Sequence, residues 1–195
     1  MAARVSGPST VGRAGRALRG AVVATLVVVV LGGAIAGCGL AAPTDFAATP
    51  SAAPQERISG AIELTRGVVE LALKAADFGL IRPTVPFRPA ESTALIDAPR
   101  GVFQVVLGDD PNGGFLVIYE LPDPAAAYTA GLAQATWLAS GPGAVQARPD
   151  TQYVIRNVGN TLVLFGWSPS NSPDARTAEL AKVLESVGQG IPVSR

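Results

Sequence analysis

Two pairs of β-branched and aromatic segments dominate the second half of the chain and constrain its fold more than any other feature. The first pair covers residues 102–107 and 115–121, and a glycine-rich, acidic loop separates its members. The second pair covers residues 152–158 and 161–167, joined by Gly159-Asn160, a dipeptide suited to a two-residue primed turn. Each pair is typical of a β-hairpin.

Helix signals follow both hairpins. Asp123-Pro124 provides an N-cap and a first-turn proline for an alanine-rich helix over 125–139, which the glycines of 141–143 end. Ser172-Pro173 begins a last helix over 174–187 in the same way.

With a further helix near the start of this region, the order is helix, hairpin, helix, hairpin, helix. We therefore expect an α+β fold in which an N-terminal helix is followed by two ββα units. The units would form one antiparallel sheet of about four strands, with helices packed on one face. Residues 116–119 and 162–165 occupy equivalent strands. Duplication and convergence both explain that match, because any buried strand uses such residues.

The first helix, predicted over 55–78, has a broad apolar face that requires a sheet or another helix against it. Its apolar positions are Ile58, Ile62, Leu64, Val68, Val69, Leu71, Ala72, Ala75, Ala76 and Phe78. Its charged positions are Glu63, Arg66, Glu70, Lys74 and Asp77. A solvated charge ladder is the favoured interpretation, and a partner-binding helix is the alternative.

Three prolines, Pro83, Pro86 and Pro89, follow this helix at intervals of three. This spacing matches the turn of a polyproline II helix. It favours a stiff connector between helix and sheet, with a proline-rich ligand for an aromatic groove as the alternative.

The start of the chain has the three parts of a signal peptide. Four arginines without an acidic residue precede an apolar run over 21–31, and small residues over 32–37 lead to Cys38. Ile35-Ala36-Gly37-Cys38 resembles the lipobox of bacterial lipoproteins. The resemblance implies a lipid on the sulfur of Cys38, cleavage before it, and acylation of the new amino terminus. An uncleaved membrane helix is the alternative, although the run over 21–36 is short for one.

These features divide the chain into a signal peptide over 1–37, a lipidated cysteine with an Ala-, Pro- and Thr-rich tether over 38–54, and one domain over 55–195. The chain holds 15 basic and 15 acidic residues, and four of the basic ones belong to the leader. The mature protein is therefore mildly acidic, which disfavours nucleic acid as a partner. The membrane is reached through lipid and not through charge. With one cysteine, the chain has no internal disulfide.

The sequence contains no histidine, which removes the usual general base and every Ser-His or Cys-His arrangement. Lys74 and Lys182 lie on predicted exposed helix faces and are poor candidates for a base. The acidic loop offers Asp109, Asp110 and Asn112 as weak metal ligands, but a solvated turn explains them better. We therefore predict no catalytic residue, no metal and no cofactor. A hydrolase that uses carboxylates alone remains the enzymatic alternative.

Aromatic side chains give the one indication of a binding surface. They fall at the ends of predicted strands and helices, where a ring can line a groove or complete the core. The candidates are Tyr119, Tyr128, Trp137, Tyr153 and Trp167.

The mature part also resembles uncharacterised small lipoproteins of high-GC bacteria. The residues that carry this resemblance are Val117-Ile118-Tyr119-Glu120, Asp123, Trp137-Leu138, Gly141-Pro142-Gly143 and Trp167-Ser168-Pro169. It implies a fold and a location but no mechanism. We expect a lipid-anchored extracytoplasmic protein that binds a small ligand or an envelope protein and is not an enzyme.

Overall fold

The structure is a computed structural model that describes residues 58–194. The predicted signal peptide, Cys38 and the tether lie outside the described residues. The elements in chain order are α1 (Gly60–Ala75), β1 (Leu80–Ile81), β2 (Arg100–Val105), β3 (Phe115–Glu120), α2 (Pro124–Ala139), α3 (Gly141–Gln146), β4 (Gln152–Val158), β5 (Thr161–Trp167), α4 (Thr177–Leu184) and β6 (Gln189–Ile191).

The strands form one antiparallel sheet in the order β1-β2-β3-β5-β4-β6. The α+β class and the single antiparallel sheet are thereby confirmed. The expected number of strands was wrong, because six strands are present where about four were expected. The two additional strands, β1 and β6, contain two and three residues and close the two edges. Segments this short carry no readable alternation of apolar and polar residues.

Helices cover both faces of the sheet, so the expectation of helices on one face was also wrong. Strand β3 explains why: Leu116 and Ile118 point into one apolar core, while Val117 and Tyr119 point into another. Helices α1 and α4 cover the first core and α2 covers the second. A sheet that is apolar on both sides needs cover on both sides.

The two hairpins can be related by a twofold axis, but the helices that follow them cannot. Strands β3 and β5 pair antiparallel at the centre of the sheet. A twofold axis through that pair, perpendicular to the sheet, would leave α2 and α4 on the same face. They pack on opposite faces, so the two ββα segments are not equivalent as whole units.

Helix α1 is shorter than the predicted span of 55–78. The side chain of Ser59 accepts a hydrogen bond from the backbone N–H of Ile62 and caps its start. At the other end, Asp77 adopts a left-handed φ of 60°, and the N–H of Phe78 donates to the carbonyl of Leu73. This is the Schellman arrangement, which ends the helix before Phe78.

Two other helix boundaries also differ from the prediction. Gly141-Pro142-Gly143, expected to be a stop, begins the short helix α3 after α2 ends at Ala139. The last helix spans Thr177–Leu184 and not 174–187, because the carboxylate of Asp174 accepts from the backbone N–H groups of Asp109 and Arg176 instead of continuing the helix.

Candidate functional site

A groove of about 480 Å³ lies where β3 begins and β5 ends. Its apolar floor is made by Val117 and Leu164, which belong to the second apolar core. Four segments surround this floor: the proline-containing connector between β1 and β2 (residues 82–99), the β2–β3 loop, the α3–β4 junction and the loop after β5. The groove therefore lies at one end of a sheet face, and α2 covers the rest of that face.

Gly166 creates the opening between two aromatic side chains. It lies opposite Tyr153 on β4, and the register of β5 with β3 places it opposite Phe115. A Cβ at Gly166 would lie 2.9 Å from Cε1 of Tyr153, so the tyrosine ring lies over the glycine backbone. The absence of a side chain at Gly166 leaves room for the Tyr153 ring beside the groove.

The opposite wall is a pair of stacked phenylalanine rings. The rings of Phe87 and Phe115 are parallel within 3°, with centroids 4.3 Å apart. Phe115 belongs to β3, whereas Phe87 belongs to the proline-containing connector. The connector is thus part of the groove as well as a link to the sheet.

A buried charge cluster holds this connector on the sheet. The carboxylate of Glu91, whose side chain is 2% exposed, pairs with the guanidinium of Arg100 and accepts a hydrogen bond of 2.8 Å from the hydroxyl of Tyr119. Arg100 and Tyr119 are directly opposite each other on β2 and β3. Arg88 reaches the second oxygen of Glu91 at 3.0 Å. Burial, together with the negative charge of Glu91, raises the pKa of Tyr119, which keeps its hydroxyl protonated as a donor.

Helix α2 adds a second attachment for the connector. The side-chain oxygen of Gln134 accepts from the backbone N–H of Ser92 at 2.7 Å, and its amide nitrogen donates to the carbonyl of Ala90 at 2.9 Å. Gln134 is fully buried. Both halves of this buried amide are therefore satisfied by the backbone of the connector.

The loops at the mouth of the groove are joined by Asp150. Its carboxylate accepts from the hydroxyl of Ser168 at 2.8 Å and from the backbone N–H of Ser170 at 2.8 Å. Hydrogen bonds from Ser170, and then from Ser168, lower the pKa of Asp150 to about 2. The carboxylate is ionised at any physiological pH and connects the loop before β4 with the loop after β5.

The β2–β3 loop is held from below by Gln104, whose amide nitrogen donates to the carbonyls of Pro111 and Gly113. This loop contains the weak metal candidates. Asp109 is exposed, and the Asp110 carboxylate occupies the space beside Gly113, where a Cβ would lie 2.1 Å from it. Within residues 58–194, no group of three or more acidic, histidine or cysteine side chains is placed to hold a metal ion.

Polar side chains surround the apolar floor at the mouth of the groove. They include two asparagines and a glutamine, which offer a donor and an acceptor each. We call this set the polar rim: Arg88, Asp110, Asn112, Gln146, Asn171 and Ser172. Among the described lining residues, Asp110 supplies the one carboxylate, and its cationic neighbour on the rim, Arg88, is already paired with Glu91.

Of the five predicted aromatic residues, Tyr153 presents its ring to the groove. Trp167 borders the groove at the end of β5, but its side chain packs against the first apolar core, on the opposite face of the sheet. Tyr119 was wrongly expected in the groove: the ring is fully buried in the core because its hydroxyl has the partner Glu91. Tyr128 is exposed on α2, away from the lining, and Trp137 packs under Gly143 of α3.

Two lining aromatics, Phe87 and Phe115, were missed as site residues. Phe115 was assigned only to a strand, and Phe87 lies in the proline connector, where no periodicity indicates burial. The spacing of the three prolines was the available signal, since a stiff connector crossing a sheet brings its intervening side chains onto that sheet.

Comparison of the chain with protein-family models, with curated proteins and with solved structures gives no match. None of the helices between residues 58 and 194 combines the length and the apolar character that a membrane crossing requires.

Proposed function

We propose that this chain is a lipid-anchored extracytoplasmic lipoprotein whose domain binds a small uncharged ligand in the groove. The ligand would offer an apolar ring face and several hydrogen-bonding groups, which is the chemistry of a sugar. The observation that carries the proposal is the combination of aromatic walls, an apolar floor and a rim of uncommitted amide side chains in one cavity.

The size and lining of the groove are those of a small-molecule site. A volume of about 480 Å³ lies within the range of known ligand pockets, which are mostly apolar with a few polar groups. Tyr153 and the stacked Phe87 and Phe115 present rings on opposite sides of the floor. A ligand with C–H groups on one face would bury them against these rings.

The charges at the groove disfavour an anionic ligand. The guanidinium of Arg88 is committed to Glu91, and the carboxylate of Asp110, beside Gly113, would repel an anion. An anionic ligand would therefore lack a free counter-charge, and burying an unpaired charge is costly. The carboxylate of Asp110 can accept hydrogen bonds from the hydroxyl groups of a neutral ligand. The side chains of Asn112, Gln146 and Asn171 donate and accept without carrying charge.

The chemistry of the lining supports binding over catalysis. Hydrolysis by carboxylates alone needs two acidic groups across the scissile bond. Asp110 is the one carboxylate among the described lining residues, and Lys74 and Lys182 lie on exposed parts of α1 and α4. We therefore keep the carboxylate-dependent hydrolase as the alternative.

The groove is tested by isothermal titration calorimetry of the purified full chain with neutral monosaccharides and disaccharides. Titration of the parent chain should give saturable heat. Tyr153→Ala should weaken binding about tenfold, which corresponds to about 1.4 kcal/mol. The matched variant Tyr128→Ala, which removes an exposed tyrosine from α2, should bind as the parent does.

Two results would contradict this assignment. One is saturable binding that Tyr153→Ala and Tyr128→Ala weaken equally, because only Tyr153 lines the groove. The other is saturable binding of charged sugars with none of the neutral ones.

The membrane address has a separate test at Cys38. Cys38→Ala should abolish the lipid mass of the mature chain and move it from the detergent phase to the aqueous phase, because two or three acyl chains hold a protein on a membrane. If the Cys38→Ala chain loses no lipid mass relative to the parent and still partitions into the detergent phase, the result would instead support an uncleaved N-terminal helix.

A further inference from the structure

The β2–β3 loop carries one carboxylate that the fold does not use. Asp109 is exposed and is not among the lining residues of the groove, whereas Asp110 is half-buried and lines it. An aspartate in a turn commonly accepts hydrogen bonds from the backbone of that turn. Between residues 58 and 194, the carboxylate of Asp110 takes part in no ion pair and accepts no hydrogen bond from the chain. The carboxylate is therefore available to a ligand.

Two buried polar side chains hold this loop without help from Asp110. The amide nitrogen of Gln104 donates to two backbone carbonyls that follow Asp110, both at 2.9 Å. The carboxylate of Asp174 accepts a hydrogen bond of 3.0 Å from the backbone N–H of Asp109. Gln104 and Asp174 are 8% and 7% exposed. The backbone is thus fixed on both sides of Asp110, which presents its side chain at a defined place in the groove.

Gly113 leaves the space that the Asp110 carboxylate occupies. Both residues line the groove. A Cβ built at Gly113 would overlap both carboxylate oxygens of Asp110. The φ of Gly113 is not positive, so the backbone itself does not require glycine there. What requires glycine is the position of the carboxylate.

We propose that Asp110 determines which sugars the groove accepts, by taking hydrogen bonds from two hydroxyl groups on neighbouring carbons of the sugar ring. This inference rests on the proposed function of the groove. A carboxylate has two acceptor oxygens, and adjacent ring hydroxyls are close enough together to donate one hydrogen bond to each. Hydrogen bonds to an ionised acceptor are roughly twice as strong as those between neutral groups. A ring that lacks either hydroxyl should therefore bind more weakly.

The loop lies beside an aromatic wall, which suits a contact at the edge of the sugar ring. Phe115 follows the loop at the start of β3, and its ring stacks on the ring of Phe87. Tyr153 provides a ring on the other side of the floor. A sugar that places its C–H groups against a wall directs its hydroxyl groups outwards from the edge of its own ring. Asp110, as the carboxylate of the polar rim, can then accept from a neighbouring pair of them.

The rest of the rim favours hydroxyl groups over a cationic group as the partner of this carboxylate. The side chains of Asn112, Gln146 and Asn171 each offer a donor and an acceptor. A sugar hydroxyl also donates and accepts, so it can match both halves of an amide. An ammonium group only donates, so it would leave the amide donors of the rim unused.

Isothermal titration calorimetry of the full chain tests the role of the charge. The probe is whichever of glucose, galactose, mannose, maltose and cellobiose binds the parent chain most tightly. Asp110→Asn keeps the size of the side chain but removes its charge and one acceptor, and should weaken binding about tenfold. Asp109→Asn makes the same change at the exposed neighbour and should leave the affinity unchanged.

Gly113→Ala tests the position of the carboxylate instead of its charge. The new Cβ would displace the Asp110 side chain, while the backbone conformation admits alanine. Binding should weaken about tenfold in the parent chain, with the thermal midpoint unchanged. In the Asp110→Ala chain, where no carboxylate is present, the same substitution should weaken binding by less than about twofold. Equal losses in the two chains would mean that Gly113 does not act through Asp110, and would overturn the proposal.

Monodeoxy forms of the same sugar test the ligand side of the contact. Two forms, which lack one or the other of two adjacent hydroxyls, should each bind the parent chain about tenfold more weakly than the complete sugar. The same two forms should differ from the complete sugar by less than about twofold in Asp110→Ala, because the acceptor for both hydroxyls is gone. A loss for either form that persists in Asp110→Ala would overturn the pairing of that hydroxyl with Asp110.

Three further outcomes count against the proposal in different ways. If Asp110→Asn binds the sugar as the parent does while Tyr153→Ala still weakens binding, the sugar site stands and Asp110 has no part in it. If glucosamine binds about tenfold more tightly than glucose and Asp110→Asn removes the difference, the carboxylate recognises a cation and not a pair of hydroxyls. If none of the five neutral sugars gives saturable heat with the parent chain, the proposed function fails and this inference fails with it.

Discussion

Glu91→Gln tests the charge cluster that holds the connector over the sheet. The substitution keeps the size of the side chain but removes its negative charge. Arg100, which is 6% exposed, then lacks an anion, and the hydroxyl of Tyr119 donates to a neutral amide oxygen. Because the Glu91 side chain is 2% exposed, water cannot reach this site to solvate the unpaired guanidinium of Arg100.

The expected cost is large for a single substitution. Removing one partner of a buried ion pair costs about 3–5 kcal/mol, because the other charge stays buried and uncompensated. For a domain of this size that loss corresponds to a fall of about 10–20 °C in the thermal midpoint. The same change at the half-exposed pair of Glu70 and Arg66, Glu70→Gln, should cost about 0–1 kcal/mol.

The assay is urea unfolding of the full chain followed by circular dichroism, with Glu70→Gln as the matched control. The triple variant Glu91→Leu, Arg100→Met and Tyr119→Phe removes the buried members of the cluster and leaves the half-exposed Arg88. It should cost less than Glu91→Gln alone, since no charge is left buried. A difference of less than about 1 kcal/mol between the costs of Glu91→Gln and Glu70→Gln would mean that burial of the Glu91 ion pair does not set its contribution to stability.

Four further substitutions test other parts of the structure. The pKa of Asp150 is about 2 in the folded chain, below the ordinary pKa of an aspartate. The carboxylate therefore stabilises the fold fully above that ordinary pKa, and this stabilisation is lost as the pH falls from about 4 towards 2. Asp150→Asn should flatten the pH dependence of the free energy of unfolding over this range in urea titrations. Gly188→Ala should lower the free energy of unfolding by about 2–3 kcal/mol, because Gly188 has a φ of 52° and its Cβ would lie 2.3 Å from the carbonyl oxygen of Asn157. Gly159→Ala, with a φ of 58° and open space around its Cβ, should cost about 1 kcal/mol, and equal losses at the two glycines would contradict this comparison. Gly166→Val should displace the Tyr153 ring and reduce sugar binding with little loss of secondary structure by circular dichroism; unchanged binding would mean that the ring over Gly166 does not form the wall.

The second hairpin could be predicted closely from the sequence. Strands β4 and β5 span the predicted residues 152–158 and 161–167. Gly159 adopts the positive φ that a primed turn requires. Local turn chemistry and β-branched composition are enough to define such an element, because its main contacts lie close together in the chain.

The layer arrangement could not be predicted in the same way. Leu162 and Leu164 contribute to one core and Val163 and Phe165 to the other. A strand that is apolar on both sides reads as a continuous run, and a run does not say which helix covers which side. The expectation of a single covered face followed from that ambiguity.

The groove was only partly predictable because the sequence does not show which aromatic side chains are buried and which are exposed. Tyr119 and Tyr153 are both strand residues, yet Tyr119 has the buried partner Glu91 and Tyr153 lies beside Gly166 at the end of the sheet. The difference depends on where the connector crosses the sheet. That path is determined by tertiary contacts such as those of Gln134, which no local pattern reveals.

The very short border strands of the sheet limit the ways in which copies of this chain can associate. Unpaired backbone groups at the border of a sheet can act as a template for another chain, and short strands provide few of them. With two residues in β1 and three in β6, copies of this chain have little main chain through which to polymerise into a continuous sheet. Any contact between copies would then have to use side chains, and such contacts can be tuned by single substitutions and remain reversible.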